Sequence, residues 1–391
     1  MSEVPALRFK KENGSSFSNW EESTVGEAFQ ICNSLRHPIS TLIRSEIQGE
    51  YPYYGPTGIL DFINEYRIDG KYALIGEDGD HFLKFADKSM TLLVEGKFNV
   101  NNHAHLLQGS SKTITEWFYY YFMHRHLTPY LTRQGVGRYK LTKAALEKLP
   151  VKIAPLPEQQ KIASFLTAVD EKISKLQREL ELLQIYKRGV MQKLFSQEIR
   201  FKQEDGSSFP DWEETKLDEV TEVNPRAEAL PNSFFYIDLE SVNDGALGET
   251  KELSNSDAPS RAQRTLRSGD ILFQTVRPYQ RNNLFFDLHG VYVASTGYAQ
   301  LRTNGNAKFL YQLLHTDKFV NNVLARCTGT SYPAINSSDL ASIPIKIPKS
   351  VKEQQKIATF LSAIDNKLDA ANQQISLTEQ FKKGLLQQMF V

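Results

Sequence analysis

Two stretches of the chain place apolar residues alternately four and three positions apart, which is the spacing of a coiled-coil seam. Each stretch predicts a long helix of about 38 residues, or roughly 57 Å at 1.5 Å per residue. A helix of that length cannot be buried inside one small domain. The seam is weaker in the second stretch, where Ala371, Thr378 and Lys382 occupy core positions. The predicted seam residues are Ile162, Leu166, Val169, Ile173, Leu176, Leu180 and Leu183, followed in the second stretch by Ile357, Leu361, Ile364, Leu368, Ile375 and Leu385.

Signals at the start of both helices agree with this pattern. Pro155 and Pro157 end the preceding extended segment and leave Glu158 in the first turn, where a carboxylate favours the helix N-terminus. Ser350 and Glu353 have the spacing of a capping box before the second helix. We therefore expect the two helices to begin close to these residues.

The two helices belong to an internal repeat. The string EQQKIASFLTAVDEKI at 158–173 returns as EQQKIATFLSAIDNKL at 353–368, and the segment that begins at Arg8 returns at Arg200. The chain is therefore two half-length copies, each with a leading segment, a variable block and a long helix. The nearest partner for each seam is the other copy, in an antiparallel pair with internal pseudo-two-fold symmetry. The alternative is that each helix packs only on its own domain.

Faint similarity remains inside the variable blocks. Ala104 and Leu106 lie 195 residues before Ala299 and Leu301, in strings that otherwise differ, which indicates one fold with a diverged surface. The predicted fold class is α+β, with two globular α/β domains separated by two long antiparallel helices that form a coiled coil. The predicted boundaries are 1–154 for the first domain with its leading segment, 155–198 for the central helix, 199–349 for the second domain and 350–391 for the C-terminal helix.

The repeat also predicts where the beginning of the chain lies. The segment at Arg200 directly follows a long helix. Its copy at Arg8 should therefore pack beside the end of the C-terminal helix, which places Phe9 within roughly 25 Å of Phe390.

Composition narrows the choice of partners and of cellular compartment. The 391 residues carry a formal net charge of zero, so a nucleic-acid or membrane partner must be argued from local clusters of charge. Cys32 and Cys327 match no metal or disulfide spacing, which fits a reducing cytosol. The beginning of the chain lacks the apolar core of a signal peptide, and no run of eighteen apolar residues occurs. We expect a soluble, cytoplasmic protein.

The repeated strings resemble the specificity subunits of type I restriction-modification systems. In that family a conserved helix opens with a P-L-P-E-Q-Q-K-I-A string, which matches Pro155–Ala163 and, without the paired prolines, Pro348–Ala358. The resemblance covers essentially the whole chain. Five further strings look like the recognition domains of the family: YPYYGPTGILDF (51–62), LIGEDG (74–79), SRAQRTLRSGDILFQTVRP (260–278), VASTGYAQLR (293–302) and GTSYPAINSSDLASIPI (329–345).

This resemblance implies a DNA-reading subunit without catalytic activity of its own. Each target-recognition domain would read one half of a split double-stranded DNA sequence, and the paired helices would set the gap and bind two methyltransferase subunits. Restriction subunits would complete the nuclease. S-adenosylmethionine, ATP and magnesium would belong to those partners, and none is expected in this chain.

Motifs of catalysis are missing from the sequence. The nearest string to the N-P-P-[FYW] motif of adenine methyltransferases is NPR at 224–226, and no G-x-x-x-x-G-K-[ST] phosphate loop occurs. The histidine pairs at 103/105 and 124/126 are spaced for one strand face, but no further ligands accompany them, so no metal is predicted. Two alternatives stay open: a coiled-coil scaffold that does not bind DNA, and a single-chain methyltransferase or nuclease, which the missing motifs disfavour.

DNA contact requires cations for phosphates and hydrogen-bonding groups for base edges. The second block is rich in arginine, which reads guanine with two hydrogen bonds, although a solvated mixed-charge surface is the alternative. In the first block Tyr53 and Tyr54 are equally suited to packing in a core. From the resemblance, residues 329–336 are the counterpart of 135–142. The candidate DNA-binding residues are Tyr53, Tyr54, Gly55, Thr57, Arg133, Arg138, Lys140, Arg261, Arg264, Arg277, Arg281, Thr330, Ser331 and Tyr332.

Overall fold

The computed structural model of the chain divides into two compact units, and both long helices are shared between them. Unit 1 joins Met1–Gln177 to Gln373–Val391, and unit 2 is Arg178–Asn372. The boundaries predicted from the sequence instead keep each helix as one segment. The residues that the structure describes are 5–134, 138–226, 229–243 and 245–390.

Unit 1 is built on a six-stranded sheet. The unit as a whole has ten strands among its described residues: β1 (Glu21–Thr24), β2 (Gln30–Ile31), β3 (Gln48–Tyr54), β4 (Ile59–Ile63), β5 (Ile68–Gly76), β6 (Thr91–Val100), β7 (Ala104–Gln108), β8 (Thr132–Gln134), β9 (Arg138–Lys140) and β10 (Pro150–Ile153). Its helices are α1 (Val25–Ala28), α2 (Thr41–Glu46), α3 (Thr115–Phe122), α4 (Lys143–Glu147), the first part of α5 (Leu156–Phe195) and the last part of the C-terminal helix. The sheet order is β2-β7-β5-β6-β3-β4, and the pairs β1–β10 and β8–β9 stand apart from it.

The central strand β5 explains why this sheet is covered on both faces. Ala73 and Ile75 join one apolar cluster with α3 and the start of α5, whereas Tyr72 and Leu74 join a second cluster. Successive side chains of a strand point to opposite faces, so both faces of the sheet are apolar here. The run from Tyr72 to Ile75 is therefore continuously hydrophobic instead of alternating.

Unit 2 carries two four-stranded sheets. Its strands are β11 (Trp212–Lys216), β12 (Glu222–Val223), β13 (Ser233–Ile237), β14 (Val242–Asn243), β15 (Ala246–Leu247), β16 (Lys251–Ser254), β17 (Ala262–Thr265), β18 (Ile271–Gln274), β19 (Leu284–Phe285), β20 (Tyr292–Ser295), β21 (Tyr298–Arg302) and β22 (Pro344–Pro348). Its helices are the last part of α5, α6 (Leu217–Val220), α7 (Ala307–Leu314), α8 (Asp317–Leu324), α9 (Ser337–Ala341) and the first part of α10 (Val351–Met389). The sheet orders are β12-β21-β18-β19 and β16-β13-β20-β17.

The first sheet of unit 2 repeats the order of four strands of unit 1, β2-β7-β5-β6. Ala104 and Leu106 lie on β7, Ala299 and Leu301 lie on β21, and each is at most 1% exposed. Both strands pair antiparallel with the central strand of their sheet, β5 or β18. The faint repeat in the sequence therefore marks an equivalent core strand in each unit.

Both leading segments are fixed to the start of a long helix by a buried ion pair, which we call the clasp. Arg8 binds Glu158 at 2.6 Å in unit 1, and Arg200 binds Glu353 at 2.9 Å in unit 2, with both carboxylates fully buried. The helices begin as expected, but the predicted capping box does not form with Ser350. The carboxylate of Glu353 instead accepts two hydrogen bonds from Arg200, because a cation is the stronger partner for a buried carboxylate.

The beginning of the chain packs beside the end of α10, as the repeat predicted. The main-chain nitrogen of Leu7 donates to the oxygen of Gln388 at 3.0 Å. The rings of Trp20 and Phe390 lie 6.4 Å apart between centroids, and Phe9 packs against the same apolar cluster. This prediction is confirmed.

Contacts within each unit show that the two long helices run antiparallel. In unit 1 Asp170, near the start of α5, binds Lys382 near the end of α10 at 2.6 Å. In unit 2 Asp365, near the start of α10, binds Lys187 near the end of α5 at 2.5 Å. The predicted antiparallel pairing is confirmed, and the start of each helix also packs into the core of its own unit.

Every predicted seam position of both helices is buried or half-buried, whereas most positions between them along the middle of each helix are exposed. The periodicity of burial thus follows the periodicity of the sequence. Within the described part of the chain, no helix is long and apolar enough to cross a bilayer.

Candidate nucleic-acid interface

Two loops of unit 2 are held together by main-chain contacts. One follows β18, and the other precedes α9. The nitrogen of Arg277 donates to the oxygen of Pro333 at 2.7 Å, and Val276 forms a β-bridge with Ala334. Ala334 also bridges Thr328 within the second loop. The two loops therefore form one surface, although they are about fifty residues apart in sequence.

Arg277 stands at the centre of this surface in an uncommon backbone conformation. Its φ of 55° is left-handed, which is rare for a residue with a side chain and disfavoured before a proline such as Pro278. The guanidinium carbon lies 4.1 Å from the ring centroid of Tyr332, whose side chain is 63% exposed. Thr330 and Ser331 are exposed beside it. Five of the predicted DNA-binding residues lie on these two loops: Arg277, Arg281, Thr330, Ser331 and Tyr332.

The other predicted arginines of unit 2 have different surroundings. Arg281 donates to the main-chain oxygen of His315 at 3.0 Å and to Asp317 at 2.5 Å, so its charge is matched within the chain. Arg264 is half-buried on β17, where burial lowers its pKa. Arg261 is exposed at the start of that strand. The structure therefore separates arginines that the sequence could not rank.

The corresponding loop of unit 1 is the β8–β9 hairpin. Arg133 donates to the hydroxyl of Tyr139 at 3.1 Å, and its guanidinium carbon lies 5.3 Å from the centroid of that ring. Lys140 is paired with Glu77 at 3.3 Å, which reduces its availability to phosphate. The side chain of Arg138 lies outside the described residues. In each unit an arginine thus lies against a tyrosine that precedes a short helix, α4 or α9. In unit 1 both residues lie on one hairpin, whereas in unit 2 they come from two different loops.

The tyrosine-rich segment of unit 1 is only partly a surface. Tyr53 is 1% exposed, and its hydroxyl donates to the main-chain oxygen of His37 at 3.0 Å. Its prediction as a DNA-binding residue is wrong, because the ring completes a small apolar cluster instead. Tyr54 is half-buried, Gly55 is buried, and Thr57 is the exposed residue among the four candidates.

The paired histidines serve the local structure. His103 lies 3.0 Å from Asp78 through Nδ1, and His105 is buried, with a pKa that burial lowers. The histidines at 124 and 126 both contact Phe85. Among the residues that the structure describes, no cluster of three or more His, Cys, Asp or Glu is arranged to hold a metal.

Two regions of the chain, residues 17–184 and 210–379, match the family described as the type I restriction modification DNA specificity domain. Together they include most of the chain. The chain belongs to this family. The resemblance drawn from the repeated strings is thereby confirmed, and each half of the chain carries one specificity domain.

Named relatives of the chain are specificity subunits. It is 36% identical over 152 residues to a putative type I restriction enzyme specificity subunit of Haemophilus influenzae, a match to 39% of this chain and 38% of that protein. It is 24% identical over 391 residues to the MjaVIII specificity subunit of Methanocaldococcus jannaschii, covering 94% of this chain and 91% of that one. The crystal structure of the S subunit from M. genitalium superposes with a TM-score of 0.68 at 16% identity, covering 99% of both chains, which shows the shared fold.

One feature of this specificity-domain protein was missed by the sequence reasoning. Leu182 and Tyr186 on α5 are 50% and 51% exposed, and Leu377 and Phe381 on α10 are 56% and 55% exposed. The second pair lies 195 residues after the first, so the repeat carries the same apolar pair outside the seam of both helices. Spacing of four residues places each pair on one helix face. The signal lies beyond the repeated strings, where the same offset of 195 residues pairs Leu182 with Leu377 and one aromatic residue, Tyr186, with another, Phe381.

Proposed function

We propose that this chain is the DNA specificity subunit of a type I restriction-modification complex, with each unit reading one half of an asymmetric, bipartite DNA target. The observation that carries the proposal is that each unit presents an arginine against a tyrosine that precedes a short helix, Arg133 with Tyr139 in unit 1 and Arg277 with Tyr332 in unit 2. Their core strands repeat, whereas the surrounding loops and sheets differ. Equivalent core strands that carry different surface side chains favour recognition of two different DNA half-sites.

The antiparallel helices supply the spacer in this proposal. Helices of 40 and 39 residues are about 60 Å long, which equals about 17 base pairs of B-DNA. Insertion of one heptad into both helices adds about 10 Å and should lengthen the preferred gap by about 3 base pairs without altering either half-site. An unchanged gap would argue against the helices as a ruler.

Methyltransferase subunits are the partners we expect on the exposed apolar pairs of the helices. Exposed apolar side chains that recur at equivalent positions are typical of a protein interface. Leu182 and Tyr186 would serve one subunit, and Leu377 and Phe381 the other. The chain itself would be non-catalytic, and S-adenosylmethionine, ATP and magnesium would be bound by the partner subunits.

The proposal is tested by co-expressing the chain with its methyltransferase subunits and mapping methylated adenines across the genome. We expect a bipartite, asymmetric sequence that disappears when the chain is omitted. Replacing residues 28–150 with the block of another family member should change one half-site only. Loss of both half-sites would mean that the units do not read independently.

Two further outcomes would favour the other functions. Failure of the complex to retain DNA, with and without the methyltransferase subunits, would favour a scaffold that does not bind DNA. Methyl transfer from labelled S-adenosylmethionine to DNA by the purified chain alone would favour an enzyme.

A further inference from the structure

We infer that Arg277 is a base-reading residue of unit 2 and that it recognises guanine through the major groove. The inference rests on the proposed function and specifies one contact within it. Arginine donates two parallel hydrogen bonds to O6 and N7 of guanine, which is the commonest specific contact between a side chain and a base. Such a reader must be fixed in position, reach the surface and keep its charge unmatched within its own chain.

The position of Arg277 is fixed from both of its ends. Its main chain is held by the hydrogen bond to Pro333, and its guanidinium lies against the ring of Tyr332 at 4.1 Å. An arginine stacked on an aromatic ring loses little conformational freedom when its fork then meets a base. The left-handed backbone is a local strain of the kind that concentrates at binding sites.

The charge of Arg277 is unmatched within the described residues, where no carboxylate forms an ion pair with it. Its Nε is enclosed and has no hydrogen-bond partner there, while the surrounding Tyr279 and Tyr332 are 49% and 63% exposed. Enclosure of Nε leaves the two terminal nitrogens as the donors that a base edge would meet. Arg277 as a whole is half-buried, so part of its side chain remains accessible to solvent.

Comparison with Arg281 strengthens this assignment. Both arginines lie on the same loop, and both have left-handed backbones, with φ of 55° and 56°. Arg281 already donates hydrogen bonds to His315 and Asp317. It therefore stabilises the loop and has few donors available for a base. Arg264 is the competing candidate, because its Nε is also enclosed and has no partner among the described residues. It differs in lying on a strand and in having no aromatic ring against it within the part of the chain that the structure describes.

The test uses the complete complex of this chain with its methyltransferase subunits and a DNA library randomised at both half-sites. For Arg277→Gln we expect the preference for guanine at one position of one half-site to fall about 5- to 140-fold, with the other half-site unchanged. Arg277→Lys keeps the charge but lacks the fork, so it should relax the same position. Tyr332→Phe keeps the ring and should preserve the preference, whereas Tyr332→Ala should weaken it.

Arg281→Gln is the matched control, with lower stability and an unchanged base preference expected. The inference is overturned if Arg277→Lys restores the original preference, which would indicate a phosphate contact, or if Arg264→Gln produces the change instead. Loss of methylation at every sequence in both Arg277 variants, with the chain still folded by circular dichroism, also counts against it. Failure of the proposed function is distinguishable, because the wild-type complex would then yield no bipartite methylated sequence at all.

Discussion

Units 1 and 2 share a common structural frame, and they differ in the strands and side chains that are added to it. Each has a clasp at the start of one long helix, a two-stranded ladder from the leading segment, and a core of four strands in the same order. Beyond these parts, unit 1 extends its sheet with the β3–β4 hairpin, whereas unit 2 adds a second sheet. The two units remain alike where segments distant in sequence pack against each other. They differ in the surface loops and the added strands, where fewer contacts restrict the sequence.

Two tryptophans show the clearest difference within the shared frame. Trp20 and Trp212 are equivalent, and each packs against a phenylalanine at the end of a long helix, Phe390 or Phe195. Trp20 also donates its Nε1 hydrogen to Glu158 at 3.1 Å. The Nε1 of Trp212 is buried and has no partner among the described residues. The buried carboxylate of Glu158 therefore accepts one more hydrogen bond than the carboxylate of Glu353.

The largest expected effect comes from removing the cation of a clasp. Arg200→Ala leaves the fully buried Glu353 without its charged partner, and we expect it to lower the stability of unit 2 by about 3–5 kcal/mol. Arg8→Ala should cost unit 1 less, since Trp20 still donates to Glu158. Amide hydrogen exchange, resolved by unit, measures both losses.

The matched control for the clasp is the double variant Arg200→Ala with Glu353→Gln. It leaves no buried charge at the clasp and should recover part of the lost stability. Equal losses for the two single arginine variants would contradict the difference between the clasps.

Acid should weaken unit 2 through His315, whose ring packs against Tyr311 at 4.4 Å. Burial lowers the pKa of His315 to about 4, against about 6.5 in the unfolded chain. Between pH 6.5 and 4 the unfolded state takes up a proton that the folded state does not, so stability falls as the pH falls, by roughly 2–3 kcal/mol near pH 4. His315→Gln should flatten this dependence in urea unfolding followed from pH 7 to pH 4.

Unit 1 provides the comparison for the acid effect. Burial also lowers the pKa of His81, His105 and His124 there, so unit 1 should keep its own acid sensitivity in the His315 variant. If His315→Gln left the pH dependence of unit 2 unchanged, another group would be responsible for it.

A smaller difference is expected between the two tryptophans. Trp20→Phe and Trp212→Phe both remove part of a ring from an apolar cluster, but only the first removes a hydrogen bond to a buried carboxylate. We expect Trp20→Phe to be more destabilising by about 1.5–3 kcal/mol. Thermal unfolding of the two variants under identical conditions provides the measurement, and a larger loss for Trp212→Phe would reverse the interpretation.

The smallest expected effect on stability comes from a feature that both units share, the side-chain cap of a short helix. Thr142 caps α4 by accepting from Ala145, and Asn336 caps α9 by accepting from Asp339. Each substitution to alanine should cost about 1 kcal/mol, because one orphan main-chain donor loses its partner. Urea unfolding should give similar losses for the two variants, and a clear inequality would show that the helices are not equivalent.

Several features of the fold could be predicted because their causes are local or repeated. The period of Ile162 to Leu183 determined a helix with one buried stripe, and duplication of that stripe indicated its antiparallel partner. The repeat also placed Phe9 near the end of α10. The capping box at Glu353 was a sound local expectation that failed, because Arg200 is brought from 153 residues away in sequence.

The candidate interface was less predictable for the same physical reason. Arg277 and Arg281 lie four residues apart in one loop, and nothing in the string distinguishes a free guanidinium from one held by Asp317. Tyr53 and Tyr54 are adjacent, yet only the first is in the core. Contacts between distant segments decide these cases.

By itself, the sequence determined the duplication, the two long helices and their antiparallel pairing, since these follow from periodicity and from identity between the halves. The tertiary structure alone decided which arginines are matched by carboxylates and which tyrosines are buried. Those outcomes depend on side chains that meet across loops distant in sequence, and periodicity carries no information about such meetings.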